Sequence, residues 1–244
     1  MKTLVITPTY DEALNIERLL EQFGNVVPNV DVLVVDDNSP DGTAGIVKRV
    51  MESKPYVRLL CRPKKQGLAA AYLAGFEWGL ARGYERLVQM DADFSHGLDD
   101  LERLLKVENA DAVFGSRYCG GGKIEGWSRS RSWISRGGCV YAKWILNSKI
   151  KDLTGGFSAW SSSTLGGIDF ESIKSRGYAF QIEMKYRAER VGFSIKEVPI
   201  TFRERARGRS KMTARIAIEA ALLVLWMRFS RLPSGRNKSE RKAA

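Results

Sequence analysis

The chain is poor in the residues that staple or metallate small domains. It has three cysteines, Cys61, Cys119 and Cys139, in 244 residues. They are too few and too irregularly spaced for a disulfide framework or a zinc site, and they point to a reducing compartment. His96 is the sole histidine, which excludes a multi-histidine metal centre; it reads as structural or as a capping side chain. No uncharged apolar run reaches the roughly 18 residues that a membrane-spanning helix needs. The nearest approach, 220–227, is short and has Glu219 and Arg228 at its ends. The opening MKTLVITPTY enters an apolar strand directly, so no leader is expected. No G-x-G-x-x-G follows that strand, which argues against a dinucleotide enzyme. No internal repeat is found. Acid is in deficit: 28 Asp+Glu against 39 Lys+Arg gives a net charge of +11, the balance of a protein with a polyanionic partner.

What the chain does have is alternation. TLVITPTY, VDVLVVDDN, VRLLCRP, ERLVQMDAD and DAVFGSRY read as strands, several apolar throughout, as strands covered on both faces are. Between them 11–23, 41–53, 67–82 and 98–107 carry helical periodicity, the second with N-cap chemistry at Asp41, Gly42 and Thr43. The expectation is an α/β fold, a mostly parallel sheet with helices on both sides. Ligands of such sheets bind beyond the carboxyl ends of the strands. Three strands end there in acid: Asp11 and Glu12 after the first, Asp36 and Asp37 after the second, Asp91 and Asp93 after the fourth.

Asp91 and Asp93 lie two apart, so on an extended strand they share a face. Like charges so placed suit a hard divalent cation, Mg²⁺ or Mn²⁺, shared with the phosphates of a nucleotide. After Tyr118 the character changes. CGGGKIEGWSRSRSWISRGGCVYAKWILNSKIK interleaves Trp127, Trp133, Tyr141 and Trp144 with basic residues and has one acid, Glu125. Beyond it a helix over 181–191, a strand SIKEVPITFRE, a basic loop RERARGRSK and a helix-like stretch 213–229 are expected, then a disordered basic tail over 231–244.

Taken in order, PTYDE, VVDDNSPDGT, GLAAAYLAG, MDADFSH, GSRY, SRG, DLTGGF, GYAFQIEM and EVPITFRER…GRSK resemble the family-2 glycosyltransferases of the GT-A fold. Within these the chain is similar to the dolichol- and polyprenol-phosphate mannosyltransferases. The resemblance implies a GT-A, Rossmann-like catalytic domain over 1–212, an acceptor and membrane-interface segment over 118–151, and an amphipathic helix over 213–230. It implies a donor site of Pro8, Tyr10, Glu12, Val35, Asp37, Asp91, Ala92, Asp93 and Arg117, with Asp37 on the base or ribose. Asp91 and Asp93 would hold the metal, with Ser95 as a weaker third ligand. Arg205 and Lys211 would clamp the diphosphate, and those two with Asp91 and Asp93 make up the catalytic set. Arg117, Arg131, Ser135 and Arg136 would take the acceptor phosphate.

The implied reaction moves mannose from GDP-mannose to a polyprenyl or dolichyl monophosphate. An acceptor phosphate is already ionised near neutral pH, so no general base is needed. In-line attack at C1 inverts an α-linked donor to a β-linked mannosyl phosphate. A lipid acceptor accounts for the basic charge and places the chain peripherally at the cytoplasmic face of a membrane. Trp133 and Trp144 are expected to be partly core, while the segment as a whole fits an interface. Helix 213–229 suits the membrane surface, the domain, or a separate membrane-spanning partner, and the sequence does not choose. UDP-glucose as donor is the nearest alternative. A nucleic-acid module fits the pI of about 9.7 but not the acids at the strand ends, which repel a phosphate backbone; no nucleic-acid partner is expected.

Overall fold

The fold is given by a computed structural model that describes residues 1–173, 175, 177–204 and 214–230. Nine strands and eight α-helices, with one 3-10 turn over Phe170–Ser172, follow in chain order among them. The first half alternates β1 (Thr3–Thr9), α1 (Ile16–Val26), β2 (Val30–Asp36), α2 (Thr43–Ser53), β3 (Val57–Cys61), α3 (Leu68–Leu80), β4 (Arg86–Gln89), α4 (Leu98–Leu105) and β5 (Ala112–Ser116). The second half adds β6 (Lys123–Glu125), α5 (Arg129–Leu146), β7 (Ser158–Ser161), α6 (Ser162–Gly167), α7 (Gly177–Val191), β8 (Ile195–Pro199), β9 (Thr201–Arg203) and α8 (Ala214–Phe229).

Seven strands form one sheet in the order β3-β2-β1-β4-β7-β5-β8. β7 pairs antiparallel with β4 and with β5, whereas β1–β2, β1–β4, β2–β3 and β5–β8 pair parallel. The sheet is therefore parallel apart from one reversed strand. β6 and β9 form a separate parallel pair.

Period-two alternation divides each central strand between two layers. Leu4, Ile6, Leu33, Val35, Leu87, Phe114 and Trp160 face a core closed by α3, α5, α7 and α8. Val5, Val32, Val34, Val88, Val113 and Ala159 face a core closed by α1, α2 and α4. Each large side chain so buried contributes about 1.5–3 kcal/mol. Gly75 and Gly79 let α3 settle onto β1 and β4: a Cβ at Gly75 would meet Ile6 Cγ2 at 2.5 Å, and one at Gly79 would meet Leu87 Cδ2 at 2.6 Å.

The differences from the sequence expectations have local causes. Helix α1 begins at Ile16 rather than 11, because the N–H groups of Asp11, Glu12 and Ala13 bond across to Ser39, Thr43 and Asp41 instead of starting a helix. The expected single strand 194–204 is two: Ile200 N–H turns to Ser116 O, and β9 leaves the main sheet for β6. Trp133 and Trp144 are not part of the core; they are 76% and 80% exposed. α5 buries the stripe Cys139, Ala142 and Leu146, so those tryptophans fall on its opposite face. The tail 231–244 lies outside the described residues.

Candidate active site

The carboxyl ends of β1, β2, β4 and β5 open onto one cleft of about 470 Å³. Pro8, Tyr10, Glu12 and Asp37 line one end; Asp91, Ala92, Asp93 and Ser95 the middle; Arg117 and Arg131 the other end. Three further expected residues are not on its lining. Val35 is fully buried in the core. Ser135, one turn along α5 from Arg131, shares a 2.8 Å hydrogen bond with the Tyr118 hydroxyl. Arg136 is exposed on the same helix. Arg205 and Lys211 lie outside the described residues.

At the first end the two neighbouring aspartates of β2 do different work. Asp36 turns inward and accepts from Thr9 Oγ1 at 2.9 Å, Ser39 N at 2.9 Å and Ser39 Oγ at 2.6 Å, bracing one strand end against the other. Asp37 faces the cleft. It accepts from Arg62 Nη1 at 2.6 Å and from the N–H groups of Gln66 and Gly67 at 3.0 and 3.1 Å. Three of its roughly four lone-pair sites thus hold the turn into α3, and a carboxylate at a helix start also suits the helix dipole. Lys65 Nζ sits 3.4 Å above the Tyr10 ring.

In the middle, the turn after β4 puts Phe94 at φ 62°, a left-handed conformation unfavourable for a bulky residue. Asp93 Oδ1 stabilises it by accepting from Ser95 N at 3.1 Å. Asp91 Oδ1 accepts from the hydroxyl of Tyr72, a fully buried residue of α3, at 3.1 Å. Burial first, and Asp91 second, push the Tyr72 phenol well above its ordinary pKa, so it remains a donor. His96 is buried, stacks on Phe157 at 4.8 Å between ring centres, and accepts from Asp91 N through Nδ1 at 3.4 Å. Burial lowers its pKa, against the opposing pull of Asp91 and Asp93, which keeps the imidazole neutral.

The far end is organised by Asp152, which the sequence reading did not single out. Its carboxylate is wholly buried and accepts from Arg117 N at 3.0 Å, Nε at 2.8 Å and Nη2 at 2.8 Å. Thr154 Oγ1 takes a further bond from Nη2 at 2.8 Å. Burial opposes both charges, but each holds the other: Asp152 lies well below the usual carboxylate range and Arg117 above its own. Arg117 is fixed by this fork with its guanidinium among the rings of Tyr118, Trp127 and Phe202. Arg131 stacks on Trp127 at 4.1 Å and pairs with Glu204 at 2.8 Å.

Residues 154–156 also line the cleft and lead into β7, which lies between β4 and β5. Gln181 Nε2 lies 3.6 Å from where a Cβ of Gly156 would stand, so these residues belong between the middle and the far end. They lie within DLTGGF and GYAFQIEM, so the motifs were visible while these individual roles were not. The reversal of β7 explains how the first group arrives: its amino end, not its carboxyl end, meets this rim.

A mostly parallel sheet with an acidic cleft at its carboxyl ends, interrupted by one reversed strand, is the GT-A architecture of glycosyltransferases. The chain belongs to glycosyl transferase family 2, which it matches over residues 4–166. It is 47% identical over 225 residues to an undecaprenyl-phosphate mannosyltransferase of Micrococcus luteus, covering 92% of this chain and 93% of that one. It is 44% identical over 226 residues to a polyprenol monophosphomannose synthase of Mycolicibacterium smegmatis, covering 91% and 85%. Among solved structures, the glucosyl-3-phosphoglycerate synthase of Mycobacterium tuberculosis, in complex with Mn²⁺, UDP and glucosyl-3-phosphoglycerate, superposes with a TM-score of 0.65 at 16% identity, over 93% of this chain and 80% of that one. The mannosyltransferase PcManGT of Pyrobaculum calidifontis, in complex with GDP-Man and Mn²⁺, gives 0.62 at 20% identity, over 95% and 66%. At such identities these two likenesses bear on the fold alone.

Proposed function

We propose that the chain transfers mannose from GDP-mannose to a polyprenyl monophosphate, with inversion at C1, at the cytoplasmic face of a membrane. The observation that carries this reading is one cleft with a carboxylate pair in its middle and two arginines at its far end, in a chain closely related to mannosyltransferases of polyprenyl phosphates.

The residues present suit a hard divalent cation. Asp91 and Asp93 offer carboxylate oxygens, and the buried Ser95 Oγ beside them has no hydrogen-bond partner. Among the described residues no group of three or more His, Cys, Asp or Glu forms a metal cage, as suits Mg²⁺ or Mn²⁺, which keep positions for water and substrate phosphates. When bound, such an ion supplies charge that offsets the departing diphosphate. Asp91 and Asp93, with Ser95 as a third group, would hold it. Tyr10, Glu12 and Asp37, at the β1 and β2 end of the cleft, receive the nucleoside. Arg117, pre-positioned by Asp152, and Arg131 draw the acceptor phosphate to the opposite side of the sugar. Catalysis is then alignment and electrostatic stabilisation, with no proton to remove from the nucleophile. Arg205 and Lys211 complete the diphosphate clamp, within a catalytic unit over 1–212.

An exposed apolar surface supports the membrane placement. Trp133, Ile134, Val140 and Trp144 of α5 are exposed, as are Leu222, Leu225, Trp226 and Phe229 of α8. The two helices are joined by a 3.1 Å bond from the Tyr141 hydroxyl to Ala221 O. Tryptophan and basic side chains at this face suit the headgroup level of an anionic leaflet. No helix among the described residues is long and apolar enough to cross a membrane.

The test is transfer of labelled mannose from GDP-mannose to a short polyprenyl phosphate, with Mg²⁺ or Mn²⁺, into a solvent-extractable product. Asp91→Asn is expected to abolish it. Full activity in that variant, or competition by UDP rather than GDP, would refute the reading, the latter in favour of UDP-glucose.

A further inference from the structure

Buried polar groups in folded proteins are nearly always satisfied, so those left over at a ligand cleft indicate what the ligand brings. Among the described residues, Thr7, Gln89, Ser95, Trp127, Ser158 and Gln181 carry buried side-chain polar atoms with no partner. Three of these residues line the cleft: Ser95, Trp127 and Gln181. Ser95 stands beside the carboxylate pair. Trp127 stands at the acceptor end under Arg131. Gln181 differs from both, since its carbonyl oxygen and its amide nitrogen are each unsatisfied.

We infer that Gln181 reads the sugar: its carboxamide hydrogen-bonds ring hydroxyls of the transferred pyranose and sets which donor sugar is accepted. The inference rests on the transferase reading above and assigns that site a specificity residue. Position supports it. The nucleoside end is built from β1, β2 and the turn into α3, and the acceptor end from β5 and α5. The sugar must lie between the diphosphate and the incoming phosphate, the region to which 154–156, leading into β7 between β4 and β5, and the adjacent Gln181 belong.

Chemistry supports it too. A phosphate needs only donors and a cation only acceptors, whereas an unfilled carboxamide offers one acceptor and two donors. Hydroxyls, which both give and accept, match that set. Gln181 is 2% exposed and sits on the first turns of α7 between Phe180 and Ile182, both core residues. Its anchor is therefore rigid. A Cβ at Gly156 would stand 3.6 Å from Gln181 Nε2, so the glycine keeps the wall beside the amide thin.

The experiment compares wild type, Gln181→Leu and the near-isosteric Gln181→Glu. The donors are GDP-mannose, its singly deoxygenated analogues and GDP-glucose, with one short polyprenyl phosphate as acceptor. Wild type should lose roughly 10-fold or more in kcat/KM on the analogue that lacks the hydroxyl Gln181 holds. Gln181→Leu should lose a similar factor on GDP-mannose and show no further loss on that analogue. GDP affinity, measured separately by calorimetry, should not change in either variant. Gln181→Glu retains the packing and should redistribute preference among the analogues, which a purely structural role would not do. If both variants rank the donors as wild type does, Gln181 binds only internal water and the inference is wrong. If wild type moves glucose in place of mannose, the mannose reading fails, and the same series on glucose analogues still decides the role of Gln181.

Discussion

Replacing Asp152 by Asn tests how the Arg117 end of the cleft, the proposed acceptor end, is built. The Arg117 and Asp152 side chains are 7% and 0% exposed, and the carboxylate takes three bonds from Arg117 and one from Gly155 N at 3.0 Å. Asparagine keeps the volume but leaves the guanidinium buried without its counter-charge, and its NH₂ faces donors. Breaking a buried pair from one side costs about 3–5 kcal/mol. An exposed pair such as Lys106–Glu102, 2.7 Å apart, contributes less than about 1 kcal/mol, so Glu102→Gln serves as the control. Urea unfolding at pH 7, followed by tryptophan fluorescence, should show the Asp152→Asn midpoint on the order of 1–2 M lower with an unchanged slope. The KM for the polyprenyl phosphate should rise while GDP affinity holds.

The pH dependence has a definite sign. Asp152 has a folded pKa below its unfolded value near 3.9, so its stabilisation is complete above about pH 4 and is lost on acidification through the folded value. The gap between wild type and variant should therefore narrow below pH 4. Lys185, whose Nζ donates to Asp152 O at 2.8 Å, is pulled down to about 8 by burial, against Asp152 and Glu197. A lysine lowered in the fold makes stability rise between about pH 8 and its unfolded value near 10.4, so a measurement at pH 7 avoids that window. Equal midpoints for wild type and variant at pH 7, with acceptor KM unmoved, would refute the argument.

Gly75→Ala places a methyl group 2.5 Å from Ile6 Cγ2. It should destabilise by about 1–3 kcal/mol, read as a lower Tm, and an unchanged Tm would mean that α3 is free to retreat from the sheet. Trp144→Ala with Trp226→Ala removes exposed rings only. Its stability should stay within about 0.5 kcal/mol of wild type while binding to vesicles containing anionic lipid falls, and equal vesicle binding would remove this face from the membrane contact.

Much of the fold was legible because apolar strands and helical periodicity alternate through the first half, and every strand there except β3 ends in residues that reach the cleft. Asp37, Asp91, Asp93 and Arg117 all reach the cleft for that reason. The misses share a different physical origin. β7, with SAWS as its whole sequence, is too short to carry a pattern, and its direction is decided by its neighbours. α5 was hidden by its composition: three inward residues, Cys139, Ala142 and Leu146, mark its buried stripe, and the tryptophans that drew notice point outward. Asp152 and Gln181 sit in visible motifs, DLTGGF and GYAFQIEM, that give no sign of their partners: one braces Arg117, 35 residues away, and the other has its carboxamide oxygen and nitrogen unsatisfied. Only three-dimensional neighbours disclose either.

The reversed strand has a consequence for how this chain tolerates change in length. The stretch from Asp152 to Ser158 is pinned at one end by the Arg117 fork and at the other by the ladder with β4 and β5. A single inserted residue there has nowhere to go. Taken up by the strand, it would swap the sides of Ala159 and Trp160 and send the indole into the layer of α1, α2 and α4. Taken up by the loop, it would pull the Thr154 hydroxyl off the guanidinium it holds. Insertions that surface turns elsewhere absorb freely are thus barred from this short span, and its spacing holds the Arg117 fork as firmly as its side chains do.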